Sequence, residues 1–327
     1  MSLKYLGTKH GGEDFLLKKD RWLGLLIVSG LLFFSPMSVK ATEIHENTGT
    51  RAMTFLKIGV GAKAIGMGES QVAEANDLYA SYWNPAGLAK IHRPQFGLMH
   101  NEWFEGINHE FLGFVQPIGG AGVIGGSVIY MSFGEIQGRD TNGKETRIFR
   151  PYDLALVLSY ARRIGSSLAF GANAKWVREE IDTESAQALA FDVGGLYTLS
   201  SHPLSFGFNL QHLGTQAKYI EESFSLPFNM KIGGAYKLLK DNFTIVADVN
   251  RPSDNNITAA FGGAVAVSEL LHLRTGYKYR VGGNDLGTAS GITGGVGFRI
   301  ESFQIDYAFV SFGKLGPTHR FSLISNF

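Results

Sequence analysis

Hydrophobic and polar residues alternate with a period of two over most of the chain after residue 93. In the stretch FGFNLQHLG, Phe206, Phe208 and Leu210 share one parity, and small or polar residues lie between them. The same alternation recurs in FNMKIGGAYKL, LLHLRTGYKYR and other stretches. Successive side chains of a β-strand point to opposite faces, so this period predicts strands with one apolar and one polar face.

The length and number of these segments separate a membrane barrel from a soluble sandwich. A tilted strand needs about 9–11 residues to cross a membrane, whereas a soluble strand usually has about 5–6. The chain has about fourteen segments of suitable length, an even number as in bacterial outer-membrane barrels. We therefore predict an all-β protein, a transmembrane antiparallel β-barrel formed by residues 93–327. The predicted strands lie near 94–103, 107–117, 121–132, 151–161, 166–178, 186–199, 203–213, 227–238, 242–251, 256–267, 270–280, 289–300, 302–312 and 317–327.

The connections between these segments divide by length. The odd-numbered ones are polar and mostly long, including SFGEIQGRDTNGKETRIFR, REEIDTES and GTQAKYIEESFSLP, whereas even-numbered ones such as PIGGAG, LSSHP and IES are short. Short turns on one rim and long loops on the other are typical of an outer-membrane barrel, with the short turns in the periplasm. The last segment, HRFSLISNF, ends on Phe327 and resembles the C-terminal signal that barrel-assembly machinery recognises.

Charged residues within the segments fall on the polar parity, which we predict to face the lumen. A Lys or Arg at the lipid-facing midplane would cost about 2–4 kcal/mol. Two interpretations are open for these charges: a network that holds the wall together, or the lining of a permeation path. The predicted lumen charges are Asp192, Asp248, Arg274, Lys278, Arg299 and Asp306, and the outward parity carries Tyr197, Tyr236, Tyr277, Tyr279 and Tyr307.

The early segments depart from this alternation. In GVIGGSVIYM, Val123 and Ile129 lie on one parity and Ile124 and Val128 on the other, so both faces are apolar. This strand is therefore buried on both sides, or the lumen beside it is apolar. About fifty residues precede the first segment and are available to fill the interior.

Composition supports strands and excludes several classes of function. Only 18% of the residues are charged and 42 are glycine, a poor composition for a helical protein. The net charge of +1 gives no reason to expect nucleic acid as a partner. The chain has no cysteine, which excludes disulfides, thiolate catalysis and Cys-ligated metal.

The beginning of the chain predicts export. Lys18, Lys19 and Arg21 precede an apolar run, 22–34, and a small-residue end at Ala41. This pattern is typical of a secretory signal peptide, here residues 1–41. A membrane anchor is the alternative, but the run is shorter than the roughly 20 residues that a spanning helix needs.

Residues 42–92 predict a plug inside the barrel. Asp77 is suited to cap a short helix that runs to Trp83. Pro85 then ends the helix, because Asn84 before a proline is driven out of the helical conformation, and Gly87 lets the chain turn again. The nearby glycines at 59, 61, 66 and 68 lack the spacing of a nucleotide-binding loop, so we interpret them as sites of close packing against the wall.

The run FLKIGVGAKAIGMGESQVAEANDLYASYWNPAGLAKI resembles the N-terminal region of the PorV/PorQ family of Gram-negative outer-membrane proteins, and its NPAGLA element is shared with FadL-type fatty-acid transporters. The resemblance implies a FadL-like barrel of the Gram-negative outer membrane whose N-terminal segment forms a hatch. The hatch positions carried over are Asn84, Pro85, Ala86 and Gly87. PorV-type members serve type IX secretion, so the implied partners are outer-membrane lipid and secretion-system proteins or exported cargo. The alternative implied by FadL is passive transport of hydrophobic molecules such as fatty acids through the lumen.

The remaining chemistry is sparse. The nine histidines show no metal-ligand spacing, and no Ser-His-Asp order is recognisable. We therefore predict neither an enzyme nor a cofactor, with serine-based lipolysis by a barrel or soluble β-protein as the third and least favoured reading.

Overall fold

A computed structural model describes residues 44–283, 286–287 and 289–327. The predicted signal peptide, 1–41, lies outside the described residues. Fourteen antiparallel strands close into a barrel, and four shorter strands form two separate hairpins, β4–β5 and β10–β11. The predicted fold class is thereby confirmed. In chain order the strands are β1 (Gln95–Glu102), β2 (Asn108–Pro117), β3 (Val123–Ser132), β4 (Ile136–Arg139), β5 (Glu145–Phe149), β6 (Tyr152–Ile164), β7 (Leu168–Ile181), β8 (Glu184–Thr198), β9 (Leu204–Gly214), β10 (Ala217–Tyr219), β11 (Glu222–Phe224), β12 (Asn229–Leu238), β13 (Phe243–Pro252), β14 (Thr258–Ala266), β15 (Leu271–Arg280), β16 (Ile292–Ile300), β17 (Phe303–Ser311) and β18 (Pro317–Asn326).

The helices of residues 44–327 that the structure describes are all short. In the part of the chain that the structure describes, no helix is long and apolar enough to cross a membrane. The α-helices are α1 (Ala62–Ile65) and α2 (Ala80–Trp83), and the 3₁₀ helices span Thr54–Lys57, Pro85–Lys90, Phe104–Gly106, Gly119–Ala121 and Gly313–Leu315.

The hydrogen-bonded ladder runs round the whole ring. β1 closes on β18 with Leu98 opposite Leu323, and each barrel strand pairs antiparallel with both neighbours. One register shift interrupts the described ladders of the ring, between Phe191 and Val193 where β8 meets β9. Because the bilayer core offers no hydrogen-bond partners to the backbone, a closed ring is what allows these strands to span it.

The two faces of the wall follow the alternation in the sequence. On β6, for example, Leu156 and Leu158 are exposed on the outer face, while Ala155 and Val157 are buried on the inner face. The outer face therefore presents a continuous apolar surface to lipid, and the core of the molecule lies inside the ring.

The two rims differ as predicted in overall plan, but not in detail. Turns such as 165–167 and 301–302 on one rim are short, which identifies it as periplasmic. The predicted loop REEIDTES is instead mostly strand, because β7 and β8 continue to a two-residue turn with Ile181 opposite Glu184. The long loops 133–150 and 213–227 contain the β4–β5 and β10–β11 hairpins. The polar composition of these segments indicates that they lie outside the membrane. It does not prevent them from forming paired strands there.

Residues 52–91, called the plug below, occupy the lumen. The plug begins near the extracellular rim, where the Ala52 amide donates to the Ser225 carbonyl at 3.2 Å. It ends beside the periplasmic turns, where Ile91 shares a cavity with Ser302. The inner faces of β2 and β3 are apolar because they pack against the plug: Phe111 and Ile129 belong to the same buried cluster as Tyr79.

Candidate functional site

The plug lies directly against glycines of the inner wall. A Cβ atom at any of these positions would overlap the plug: at Gly276 it would meet Met67 and Gly68, and at Gly171 it would meet Pro85 and Ala86. At Gly171, Gly207, Gly262 and Gly276 the nearest plug atoms are backbone atoms, and only a residue without a side chain lets two backbones approach this closely. At the other positions of the set the glycine makes room for a plug side chain, Leu78 or Asn84. We call this set the glycine belt; it consists of Gly97, Gly113, Gly171, Gly194, Gly207, Gly262 and Gly276.

Amide side chains of the wall satisfy the end of helix α2. The last carbonyls of a helix have no partner within it. Here Asn173 donates to the Ser81 carbonyl at 2.6 Å, Gln211 to the Tyr82 carbonyl at 2.8 Å and Asn209 to the Trp83 carbonyl at 2.9 Å. The four-residue helix is therefore held by three side chains from two strands, β7 and β9.

The start of this helix differs slightly from the prediction. The α-helix begins at Ala80, and the Asp77 carboxylate accepts from the Tyr79 amide at 3.1 Å one residue earlier. Asp77 also pairs with Lys63 at 3.0 Å, so it links two parts of the plug.

The four hatch positions are part of the plug and are buried together against β7 and β8. Asn84 is extended, with φ of −164°, and its side chain accepts from the Ala86 amide at 3.1 Å while donating to the carbonyls of Val72 and Gly195. Ala86 packs against the wall, and a Cβ at Gly87 would overlap Ala75. Asn84 therefore ends the helix, starts the following 3₁₀ helix and ties both to the wall.

Two of the predicted lumen charges contact the plug. The Asp248 carboxylate accepts from the Gln71 and Val72 amides at 2.7 and 3.0 Å. Lys278 pairs with Glu69 at 2.5 Å. Burial acts to raise the pKa of the Glu69 carboxyl, but the Lys278 and Arg320 cations outweigh it and hold that pKa below its ordinary value. Both wall charges therefore fix the middle of the plug.

Three more predicted charges form buried pairs within the wall. Arg274 and Asp306 pair at 2.7 Å. Asp192 pairs with Lys175 at 2.6 Å and also accepts from the His212 amide at 2.9 Å, at the register shift between β8 and β9. In a low-dielectric interior a pair satisfied in this way rigidifies its surroundings. These arrangements favour the structural interpretation of the charges over a permeation path.

Arg299 is separate from the other five charges. It lies on the inward parity of β16, but at the periplasmic mouth, where it is exposed and donates to the Gln304 side chain at 3.5 Å. The position of a strand end relative to the membrane cannot be read from alternation alone, which explains why sequence grouped it with the interior residues.

Sequence reasoning missed a second buried group near the extracellular rim. Asn101 lies opposite His109 on one side and Arg320 on the other, and all three are fully buried. Within the described part of the chain their side chains have no hydrogen-bond partner, although the Arg320 guanidinium lies 5.4 Å from the Trp103 ring centroid. The inward parity of these residues was visible in the sequence, but their convergence required the closure of β1 on β18.

The sequence placed Lys231 on the polar parity of its strand but did not reveal its partners. Its ammonium lies 4.5 Å from the Trp83 ring centroid and 5.7 Å from that of Tyr82, a cation–π contact between wall and plug. Among the described residues, no group of three or more His, Asp or Glu side chains is arranged to hold a metal ion.

The comparisons with known proteins agree with this architecture. Residues 41–252 match the family described as type IX secretion system protein PorV. No curated protein matches the sequence. Among solved structures, the toluene transporter TodX of Pseudomonas putida has a TM-score of 0.61 at 15% identity, covering 82% of this chain and 98% of its own. TbuX of Ralstonia pickettii, also a toluene transporter, has a TM-score of 0.59 at 15% identity with the same coverages. A Pseudomonas aeruginosa FadL homologue has a TM-score of 0.54 at 12% identity, covering 88% and 99%.

At such identities the structural likeness concerns the fold, and it confirms the expected FadL-like barrel. The family and these transporters are not enzymatic classes. The family match covers more than half of the chain and begins at the end of the predicted signal peptide. The chain therefore belongs to the PorV family of type IX secretion system proteins and is a Gram-negative outer-membrane barrel.

Proposed function

We propose that the mature protein, beginning after Ala41, works as a closed barrel that docks secretion-system proteins or exported cargo at its extracellular rim. Residues 42–92 serve as its permanent plug. No catalytic step is part of this proposal. The main observation in support of this proposal is that the plug is firmly held. Wall side chains form hydrogen bonds with the plug backbone between Ala62 and Trp83, and the plug is in close contact with the glycine belt. If the plug had to move out of the lumen at each transport event, all of these buried contacts would have to be broken each time.

The docking surface consists of the extracellular loops 133–150 and 213–227. Their hairpins expose apolar side chains outside the membrane, where burial against a partner is favourable: Ile148 is 56% exposed and Ile220 is 74% exposed. Ile220 also has φ of 48°, a left-handed conformation that is costly for a β-branched residue. Such strain is typical of functional positions.

Site-specific photocrosslinking in the native membrane tests this surface. We expect a photoreactive residue at Ile148 or Ile220 to capture a type IX secretion component or an exported protein, identified by mass spectrometry. The matched control is Leu315, which is also exposed at this rim but lies on the β17–β18 connection. Equal capture from all three positions, or capture of lipid alone, would contradict the proposal.

A second candidate function is the holding of a hydrophobic molecule that carries an anionic group. It is favoured by the unpartnered Arg320, His109 and Asn101, which lie beside the apolar inner wall of β1–β3. Under this reading, uptake of a labelled fatty acid into liposomes rises when Pro85→Ala loosens the plug. Unchanged uptake, together with no lipid extracted from the purified barrel, would exclude it.

A further inference from the structure

The periplasmic mouth contains two open cavities that share one lysine. One has a volume of about 590 Å³ and the other of about 680 Å³, and Lys90 of the plug lines both. Both lie inside the ring of strands, with the plug as their floor. They are accessible from the periplasm and separated from lipid by the wall.

Six Lys or Arg and four Asp or Glu side chains line these cavities, and the two acids of the plug are already paired. The other two acids, Asp241 and Glu301, are exposed in periplasmic turns. Glu74 pairs with Lys237 at 3.2 Å and Asp77 with Lys63 at 3.0 Å. Four cations that line the cavities have no ion-pair partner among the described residues: Lys90, Arg93, Arg163 and Arg299.

At the opposite, extracellular rim, arginines do form ion pairs with acidic side chains. Each of three arginines on or beside the β4–β5 hairpin has an acidic partner: Arg139 pairs with Glu145 at 2.9 Å, Arg147 donates to Asp182 at 2.7 Å, and Arg150 pairs with Glu135. At the periplasmic mouth the arginines instead face open cavities. These unpaired arginines therefore line cavities that a ligand can enter.

Burial and the positive charge in the cavities make the protonated form of Lys90 less stable. Burial lowers the pKa of its ammonium group to about 8, and the nearby Lys237, Lys63 and Arg163 act in the same direction while Glu74 opposes them. An anion in either cavity would offset the repulsion among these cations. The first cavity also offers neutral donors around its wall: Ser166, Ser167, Thr198, Ser200, Ser201 and Ser205.

We propose that the periplasmic mouth binds an acidic polypeptide segment of a periplasmic protein, with carboxylates placed at Arg163 and Lys90 in one cavity and at Arg93 and Arg299 in the other. A segment that reaches both cavities binds as a linked, multivalent ligand, which favours it over separate small anions. The position inside the ring favours a peptide over a lipid headgroup, which would have to leave the bilayer. This inference concerns the rim opposite the docking surface and holds whether or not that surface binds a partner.

Fluorescence anisotropy with the full-length mature barrel in detergent tests the proposal. The probe is a fluorescein-labelled hexaglutamate peptide, and hexaglutamine of the same length is the neutral comparison. We expect the hexaglutamate to bind, with an affinity that falls as salt is added, since exposed charges are screened. Replacing Arg93, Arg163 and Arg299 together by Gln should weaken binding by about tenfold or more.

The matched control is Arg162→Gln. Arg162 is the neighbour of Arg163 at the same rim, but it lies on the outward parity of β6 and lines neither cavity. This variant should bind within about twofold of the unmodified protein. Heat-modifiable migration on semi-native gels verifies that every variant is a closed barrel.

Four outcomes would overturn the proposal. They are equal binding of hexaglutamine, full binding by the triple variant, an equal loss in Arg162→Gln, and displacement of the peptide by acetate as readily as by unlabelled hexaglutamate. Displacement by phosphatidylglycerol micelles at a matched concentration would assign the site to lipid instead.

Discussion

The two sides of the lumen hold the same plug by different interactions. On β1–β3 the inner wall is largely apolar, and Phe111, for example, lies with its ring centroid 5.1 Å from that of Tyr79. On β7–β16 it consists mostly of glycines, amides and charges such as Asp248, which bond the plug backbone. The apolar side has fewer such contacts, among them Gly97, Gly113 and the Gln95 side chain, which accepts from the Leu78 amide at 2.9 Å. Apolar packing is non-directional, whereas a hydrogen bond or a glycine contact accepts one geometry. Most of the contacts that set the register of the plug therefore lie on the polar side, and the apolar side contributes mainly burial.

The largest expected effect comes from the buried pair on the polar side. Lys175→Met leaves the Asp192 carboxylate buried without its cation and should lower the free energy of unfolding by about 3–5 kcal/mol. Urea titration of the detergent-solubilised barrel, followed by heat-modifiable migration, measures this. Adding Asp192→Asn to the same chain should restore part of the loss. A single variant as stable as the unmodified protein would show that the pair does not hold this side.

The glycine belt should give the next largest effect. Gly276→Val drives a side chain into Met67 and Gly68 and should destabilise the protein by about 1–3 kcal/mol. Protease sensitivity of the plug should rise in parallel. The control is Gly294→Val, since a Cβ at Gly294 meets nothing within 4 Å. Equal effects at the two positions would contradict the role given to the belt.

A mild deletion on the apolar side should have a smaller effect. Ile129→Val removes one buried methylene group and should cost about 0.5–1.5 kcal/mol, without loosening the plug to protease. The comparison with Gly276→Val is made in the same urea titration. Plug release by this mild substitution would mean that β1–β3 also fixes the register.

The smallest effect is expected outside the barrel. Arg139→Gln breaks the exposed pair with Glu145 on the β4–β5 hairpin and should change stability by at most about 1 kcal/mol. The same titration serves as the measurement. A larger loss would show that the hairpin supports the barrel and is not an appended surface.

Much of this architecture was predictable because it depends on alternation. The strand segments were located to within a few residues, except that β7 and β8 extend through polar sequence to Ile181 and Glu184. The chain reversal at Asn84 and Pro85 was also predictable, because a proline acts on its immediate neighbour. The hairpins in the long loops were not predicted, since their strands are only three to five residues long, and those of the β4–β5 hairpin are mostly exposed on both faces.

The candidate site was less accessible from sequence. Parity assigned Asp192 and Asp248 to the inner face, but it could not say that one would pair with Lys175 and the other would bond the plug backbone. Parity also could not show that Arg299 lies at the periplasmic mouth, whereas the other predicted charges lie deeper in the lumen. Parity carries the direction of a side chain and no information on its depth or partner.

By itself, the sequence determined which residues form strands, which side chains point into the ring and where the plug helix must stop, because these depend on neighbours along the chain. The tertiary structure alone decided that Gly276 faces Gly68, that Asn101 meets Arg320 across the closing seam and that Lys90 joins two cavities. Such contacts join residues far apart in sequence, and their geometry is set only when fourteen strands have closed around the plug.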